Sequence, residues 1–570
     1  MKRCPACHRV ENDNSLSFCR VDGTALISDS SGYDAEAQTV QLGSATSPEV
    51  RTTLLDPTTP TAGRAPKPAI TRKTIKPLPL AIGIVAAFIL VLAAGSYFFI
   101  TKKFASINSI AVLPFENQNN DSETEYLADG LTETIINDLS RISTLHVTPR
   151  NSVYRYKGKQ VDLATVSKEL GVPVVLTGRL LQRNNNLVVS VELVDVHGNK
   201  QLWGEQYSRS LANLQTIERE IAAQITKALR QRLNSDDRKE LTKHYTENSE
   251  AYQLYLKGQY QLNKRTEQSL AKGIEYFRQA TEADPNYALA YSGLADAYNQ
   301  LGIWARLPPK ESFPRAKAAA AKALQLDHTL AEAQAAMAVV KFNYDWDFEG
   351  AERIYQQAIY LNERHVATRE WHAYHLYLAD PSRFITAMEE VKEAQKMDPL
   401  SLTLNFTLSA LLYFNRQYDD SIAQLAATHD LDPNFTLGYG LLGMNYFHKK
   451  MPDKAVEAWL RGSALEGEIL SGDAEQSLSD AFSRSGIEGY LRKHIELLKQ
   501  QSKEQYISPY FIAMDYAMLG EKELAFEWLE KAFQERSSWL IEVRVDPLWD
   551  PLRSDPRYKE LLQRMGFRGV

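Results

Sequence analysis

The sequence predicts a multidomain chain made of a short cysteine-bearing segment, one transmembrane helix, an α/β domain and an all-α solenoid of helical repeats. Three observations predict it. Leu78 to Ile100, LPLAIGIVAAFILVLAAGSYFFI, is a 23-residue run without a charge. Residues 108–234 alternate short apolar runs with helical periodicity, and from Ser249 onward a pattern of small, large and small residues keeps returning. The length of 570 residues leaves room for at least three units at roughly 100–200 residues per domain. With 44% hydrophobic and 24% charged residues and a net charge of −6, the chain has the composition of a folded protein. That balance excludes a wholly disordered chain and gives no sign of a nucleic-acid partner.

At about 1.5 Å per residue, the apolar run is long enough to cross about 30 Å of hydrocarbon. Flanking Arg72, Lys73, Lys76, Lys102 and Lys103 argue against a buried core helix, and the long stretch before the run argues against a cleaved signal peptide. Arg64, Lys67, Arg72, Lys73 and Lys76 precede the span, whereas only Lys102 and Lys103 follow it closely. The excess of positive charge places the N-terminus in the cytoplasm and residues 105–570 outside it. Cysteine usage agrees: Cys4, Cys7 and Cys19 are the only three, and all fall on the reducing side.

Before the span, residues 28–77 are rich in Ser, Thr, Pro and Ala, with too few large apolar residues to bury a core, and read as a flexible linker. Thr52, Thr53, Thr58 and Thr59 are either kinase targets or ordinary linker residues. After the span, an α/β domain is expected over 105–235. SIAVLPF reads as a strand, and YLADGLTETIINDLSRI as a helix, with Leu127, Leu131, Ile135, Leu139 and Ile142 on one stripe. LHVTP is a second strand, DLATVSKELG a helix stopped by Gly171, and VPVVLTGRLL a third strand. LVVSVELVDV and KQLWGEQYSR form a hairpin across His197, Gly198 and Asn199, and TIEREIAAQITKALRQRL closes the domain as an amphipathic helix.

These motifs, IAVLPF, YLADGLTETIINDLSRI, YKGK, KELGV, GRLL and LWGEQYSR, run in the order seen in TolB amino-terminal-like, or FlgO-like, domains, which the segment resembles. The resemblance implies a bacterial transmembrane regulator or membrane kinase of acidobacterial type, anchored in the inner membrane, with this domain periplasmic or otherwise extracytoplasmic. It implies no catalytic residues.

The repeating pattern occupies positions i, i+4 and i+7: Gly273/Phe277/Ala280, Ala316/Ala320/Ala323, Ala351/Tyr355/Ala358, Ala387/Val391/Ala394, Ser421/Leu425/Thr428, Ala455/Trp459/Gly462 and Ala525/Leu529/Ala532. The first members stand 43, 35, 36, 34, 34 and 70 residues apart, so one degenerate copy lies inside the last interval, near 489–498. The period resembles that of the tetratricopeptide repeat, a helix pair recurring about every 34 residues. About eight pairs are expected over 249–536, with an insertion in GIWARLPPKESFP and with 537–570 capping the last pair through Trp549, Leu552, Tyr558, Leu561 and Leu562. Such a solenoid offers a long concave face, so proteins or peptides are the expected partners there. The alternative use is packing onto the α/β domain.

No enzyme motif stands out. GYGLLG at 438–443 matches a dinucleotide-binding pattern in form only, since it falls within a repeat helix rather than after a strand. His372 and His375 share a helical face without a third ligand, and His375 takes the small-residue position of its repeat, so packing is the better reading. At the N-terminus, CPACHRVENDNSLSFCRVDG resembles a zinc ribbon whose last cysteine is replaced. Cys4, Cys7, Cys19 and Asp22 are the candidate ligands of a structural zinc in residues 1–27, with His8 as the competing fourth ligand. A segment this short lacks a core of its own, which favours a metal. The expected function is that of a single-pass membrane adaptor or sensor, with no small-molecule substrate. The runner-up is a signalling relay with the ribbon as its cytoplasmic output, and an enzyme with an unrecognised site in the repeats is the third class.

Overall fold

The computed structural model describes residues 107–229 except 120 and 122, residues 245–569 except 305 and 467–471, residues 234, 237 and 243, and six strand residues near the N-terminus. Contacts divide the chain into two compact units, Met1–Val91 and Leu92–Val570. In the first, β1 (Lys2–Arg3) pairs antiparallel with both β2 (Val10–Glu11) and β3 (Ile27–Ser28). Cys4, Cys7, His8, Cys19 and Asp22, the linker beyond Ser28 and the apolar run 78–100 lie outside the described residues. Among the described residues, no helix is long and apolar enough to cross a membrane.

The second unit opens with the α/β domain. Strand β4 (Ser109–Val112) is continued by β5 (Glu116–Asn117), and α1 (Glu125–Ser140) leads to β6 (His146–Val147). A short helix α2 (Arg150–Tyr154) and α3 (Leu163–Leu170) precede three long strands, β7 (Val174–Arg183), β8 (Asn186–Asp195) and β9 (Lys200–Ser210), and α4 (Leu214–Ala228) closes the domain. The sheet order is β6-β4-β7-β8-β9, parallel from β6 to β7 and antiparallel from β7 to β9. Leu127, Leu131, Ile135 and Leu139 of α1 and Ile217, Ile221 and Ile225 of α4 are all fully buried, as a one-sided helical stripe requires. Helix α3 starts where the Asp162 side chain accepts from the Thr165 N–H and ends at Gly171, whose φ of 66° suits glycine. The two-residue turn Asn184-Asn185, with Asn184 at φ 54°, sets the β7–β8 register.

Eight helix pairs follow. They are α5/α6 (Ser249–Leu262, Glu267–Ala283), α7/α8 (Ala288–Ile303, Pro309–Leu326), α9/α10 (Ala331–Val340, Phe348–Leu361) and α11/α12 (Val366–Ala379, Phe384–Met397). Then come α13/α14 (Leu402–Phe414, Tyr418–Leu431), α15/α16 (Thr436–His448, Pro452–Glu466), the two arms of α17 (Gly472–Gln501), and α18/α19 (Pro509–Met518, Lys522–Glu535). The degenerate seventh copy is the bent helix α17, whose arms meet at Ser485 and Gly486; Gly486 has φ 60° and ψ −150°, a backbone open essentially to glycine alone.

The small-large-small pattern has a direct packing cause. Phe277 is fully buried between α5 and α7, and a Cβ added at Gly258 or Gly293 would stand 2.6 Å from its ring. Trp459 fills the same place beside Gly443 in the sixth pair, so the last glycine of GYGLLG serves a helix crossing. Beyond α19, residues 538–552 form two 3-10 segments, and α20 (Pro556–Arg564) ends the chain.

Candidate functional site

The first helices of the repeats share one face, and residues 538–552 lie across it. The Ser538 hydroxyl donates to the carbonyls of Gly302 and Ile303 at the end of α7, at 3.0 and 3.1 Å. Tyr374 on α11 donates to the Glu542 carboxyl at 2.6 Å, and Tyr413 on α13 donates to Asp546 at 2.8 Å. Arg416, after α13, makes a two-pronged contact with Asp550, and the Trp549 indole donates to Tyr510 on α18 at 3.3 Å. One short segment thus touches the first helices of pairs two, four, five and eight, which places it inside the curve of the array. Phe567 continues the seam by stacking on Phe348 at 4.4 Å.

This changes the expected site. The sequence assigned the concave face to a partner and the tail to capping; α20 of the tail does lie on the last pair, where Arg557 pairs with Glu523 and Arg564 with Glu530, and residues 538–552 reach further, across the first helices of four pairs. Leu540, Val543, Leu548, Trp549, Leu552 and Leu562 are at most 3% exposed. At roughly 1.5–3 kcal/mol for each large apolar side chain fully buried, these six contribute on the order of 10–20 kcal/mol. The segment is therefore a structural element of the array, not a strap that readily comes away.

Two tail carboxyls are enclosed with it. Burial pushes Glu542 up to about 8, with the Tyr374 hydrogen bond working in the other direction, and pushes Asp546 up to about 6. His448, which meets Tyr413 at 3.1 Å, is held down to about 4 by burial and by nearby Lys450. Nothing in the periodicity announces Tyr374, Tyr413, Tyr510, Glu542 or Asp546. The usable signal was the composition of VDPLWDPL, where acidic residues alternate with large apolar ones in a segment lacking a partner repeat.

A second polar seam joins the α/β domain to the edge of the array formed by the turns between repeats. Arg364 donates to the carbonyls of Ser143 and Leu145, and Ser152 donates to Asp398, while Thr246 and Lys243, which follow α4 in the chain, bond to Asp284 and Asp327 of the repeats. Helix α1 crosses α5 where a Cβ on Gly130 would stand 2.9 Å from Leu256. Beside that crossing, the Tyr252 hydroxyl donates to the buried Glu218 carboxyl. Burial pushes Glu218 well above the usual carboxylate range, with the Tyr252 hydrogen bond working in the other direction.

His375 packs as its repeat position suggests. It lies flat on Phe342 with ring centres 3.9 Å apart, and its ring nitrogens face Tyr355 at 2.9 Å and Asn343 at 3.3 Å. Burial holds it well below the ordinary histidine value, so the ring is neutral. His372 Nδ1 stands 2.8 Å from Glu390 of the neighbouring helix, without hydrogen-bond geometry. That carboxylate lies close only through tertiary packing, which helical spacing along one helix does not reveal. Among the described residues, no group of three or more His, Cys, Asp or Glu is placed to hold a metal. The candidate zinc ligands Cys4, Cys7, Cys19 and Asp22 lie outside those residues.

With this geometry in hand, comparison with known proteins is informative for the α/β domain. The sequence pattern of the second domain of HilA/YgeH-like transcriptional regulators matches residues 106–224. It covers the domain whose motifs resemble TolB amino-terminal-like or FlgO-like domains, and the regulator family is the one whose pattern matches. The chain is similar to "Putative adenylate cyclase 3" of Rhizobium meliloti (strain 1021), 35% identical over 187 residues, 33% of this chain and 32% of that protein. It is also similar to "Transcriptional regulator HilA" of Salmonella typhimurium, 22% identical over 326 residues, 55% of each. The chain thus spans about a third to about half the length of these curated relatives. Among solved structures, YrrB, "a TPR protein with an unusual peptide-binding site", is 20% identical over 34% of this chain and 94% of that one, with a TM-score of 0.24. The matched pattern shows a HilA-like regulator domain over residues 106–224, which in this chain is followed by an array of helix pairs.

Proposed function

We propose that this chain is a non-catalytic regulatory protein of the membrane, whose α/β-and-repeat unit binds other proteins. Its N-terminal segment lies across the bilayer from that unit, joined to it by the span 78–100, with the N-terminus cytoplasmic. The observation that carries the reading is the seam in which Arg364 and Asp398 of the repeat edge bond to Ser143, Leu145 and Ser152 of the α/β domain. A surface held by such contacts before binding lowers the ordering cost of taking a partner. With residues 538–552 lying across the first helices of four pairs, the partner surface is placed on α15, where Leu437, Leu442 and Tyr446 stay part-exposed. Neither nucleic acid nor a small-molecule substrate is proposed as a partner.

The test is site-specific photo-crosslinking from position 442 of the full chain in its native membrane, followed by mass spectrometry. A discrete set of crosslinked proteins is expected; crosslinks only to lipid, or to nothing, overturn the reading. An alkaline-phosphatase reporter fused after residue 110 is expected to be active outside the cytoplasm, and a well-expressed but inactive fusion reverses the topology.

A signalling relay is the second reading, favoured by the similarity to proteins named as regulators. In it, residues 1–27 hold one structural zinc through Cys4, Cys7, Cys19 and Asp22 and act as the output module. Metal analysis of the purified full chain is expected to give one zinc, lost in Cys4→Ser and weakened in Asp22→Ala but not in His8→Ala. A zinc-free wild type ends this reading.

A further inference from the structure

The two edges of the α/β sheet are treated differently. At one edge, β6 is two residues long, and the Arg364 guanidinium covers the carbonyls just before it, those of Ser143 and Leu145. At the other, β9 runs eleven residues from Lys200 to Ser210 and contains no proline. Among the described residues, no backbone hydrogen bond reaches β9 from any element except β8. A strand of this length left unpaired among the described residues presents a row of outward N–H and C=O groups, a template for another strand.

The register of β9 singles out one occupant. Its only irregularity against β8 lies opposite Leu193 and Val194, beside residues 201–203, so Gly204–Ser210 is a regular seven-residue stretch. Along that stretch, Glu205, Tyr207 and Arg209 lie on one face because side chains alternate. If the strand meets a copy of itself antiparallel about a two-fold axis at Tyr207, residue i opposes residue 414 minus i. Glu205 then faces Arg209 of the second copy, Arg209 faces its Glu205, and Tyr207 faces Tyr207. Moving the axis to Glu205 sets Glu205 against Glu205. Glu205 and Arg209 are exposed, with Tyr207 donating to Glu205 at 3.2 Å and Glu220 of α4 3.8 Å from Arg209, while Tyr207 itself is buried at 4% exposure.

We propose that β9 of one copy pairs antiparallel with β9 of a second copy about an axis at Tyr207, giving a homodimer with one sheet continuous through both α/β domains. Each hydrogen-bonded residue pair supplies two backbone bonds, roughly six to eight in all over seven residues. The two Glu205–Arg209 contacts set the register, and β-strand addition of this kind leaves the repeat array undisturbed. The inference is independent of the partner surface proposed on α15.

The experiment is sedimentation velocity on the full chain in detergent, with four versions compared: wild type, Glu205→Arg, Arg209→Glu and the double exchange. The wild type is expected to be a dimer. Each single exchange sets like charges opposite each other twice, which weakens dimerisation roughly tenfold or more. The double exchange restores both opposite-charge pairs and with them the dimer. Circular dichroism verifies that all four versions fold. A monomeric wild type overturns the proposal, and so does a dimer indifferent to the single exchanges or one the double exchange fails to restore.

Discussion

Glu542 and Asp546 are carboxyls carried into an apolar seam, each held by one tyrosine hydroxyl. Their folded values, about 8 and about 6, lie above ordinary values of 4.5 and 3.8, so the folded chain binds these protons more tightly than the unfolded chain. Stability from them is complete below about pH 4 and declines as pH rises to about 8, where Glu542 has ionised in place. Because Glu542 keeps some contact with water, the whole effect is at most a few kcal/mol. Thermal unfolding between pH 5 and 9 is expected to show Tm falling for the wild type and falling less for Glu542→Gln, which is neutral throughout. Parallel profiles would mean that Glu542 does not titrate there. None of this was legible from the sequence, because a carboxyl's environment is set by residues more than a hundred positions away.

At the scale of elements, periodicity carried most of the information. The stripe of α1, the stop at Gly171, the hairpin over 197–199 and the small-large-small trios all matched real packing faces, because each depends on residues within one or two turns. What escaped was short or irregular: the five residues of α2, the two of β5, and the 3-10 segments of the tail offer too few periods to register. The crossing of α1 on α5 is decided by Gly130, which no local pattern marks as special. Gly130→Leu places side-chain atoms where Leu256 already stands. It is expected to cost about 2–4 kcal/mol and to raise hydrogen exchange in α5 as well as in α1. Exchange that rises only in α1 would show that the two helices do not share one cooperative unit.

For the molecule as a whole, the tail decides how the array behaves. In an open tetratricopeptide-like solenoid each repeat contacts only its neighbours, so stability adds up repeat by repeat. This one is tied across its inner face by residues 538–552, from α7 to α18. Trp549→Ala is expected to cost about 3–5 kcal/mol in urea unfolding and to broaden the transition as the early pairs separate from the late ones. A chain lacking 537–570 is expected to expose apolar surface and bind a hydrophobic dye. Unchanged unfolding in both variants would show that the inner face stands on its own.

The number of repeats, the longer strands and helices of the α/β domain and the position of the apolar run 78–100 can be read from residue order alone. Each depends on hydrophobic period, turn residues or charge flanking a single segment. Where the tail goes, which carboxyls it buries, how the α/β domain fastens to the repeat edge and which strand edge is left open depend on contacts between residues far apart in the chain. Such contacts are chosen by shape and by pairing of buried polar groups, which leave no period along the chain, so only the folded molecule reveals that residues 538–552 run across the first helices of four pairs.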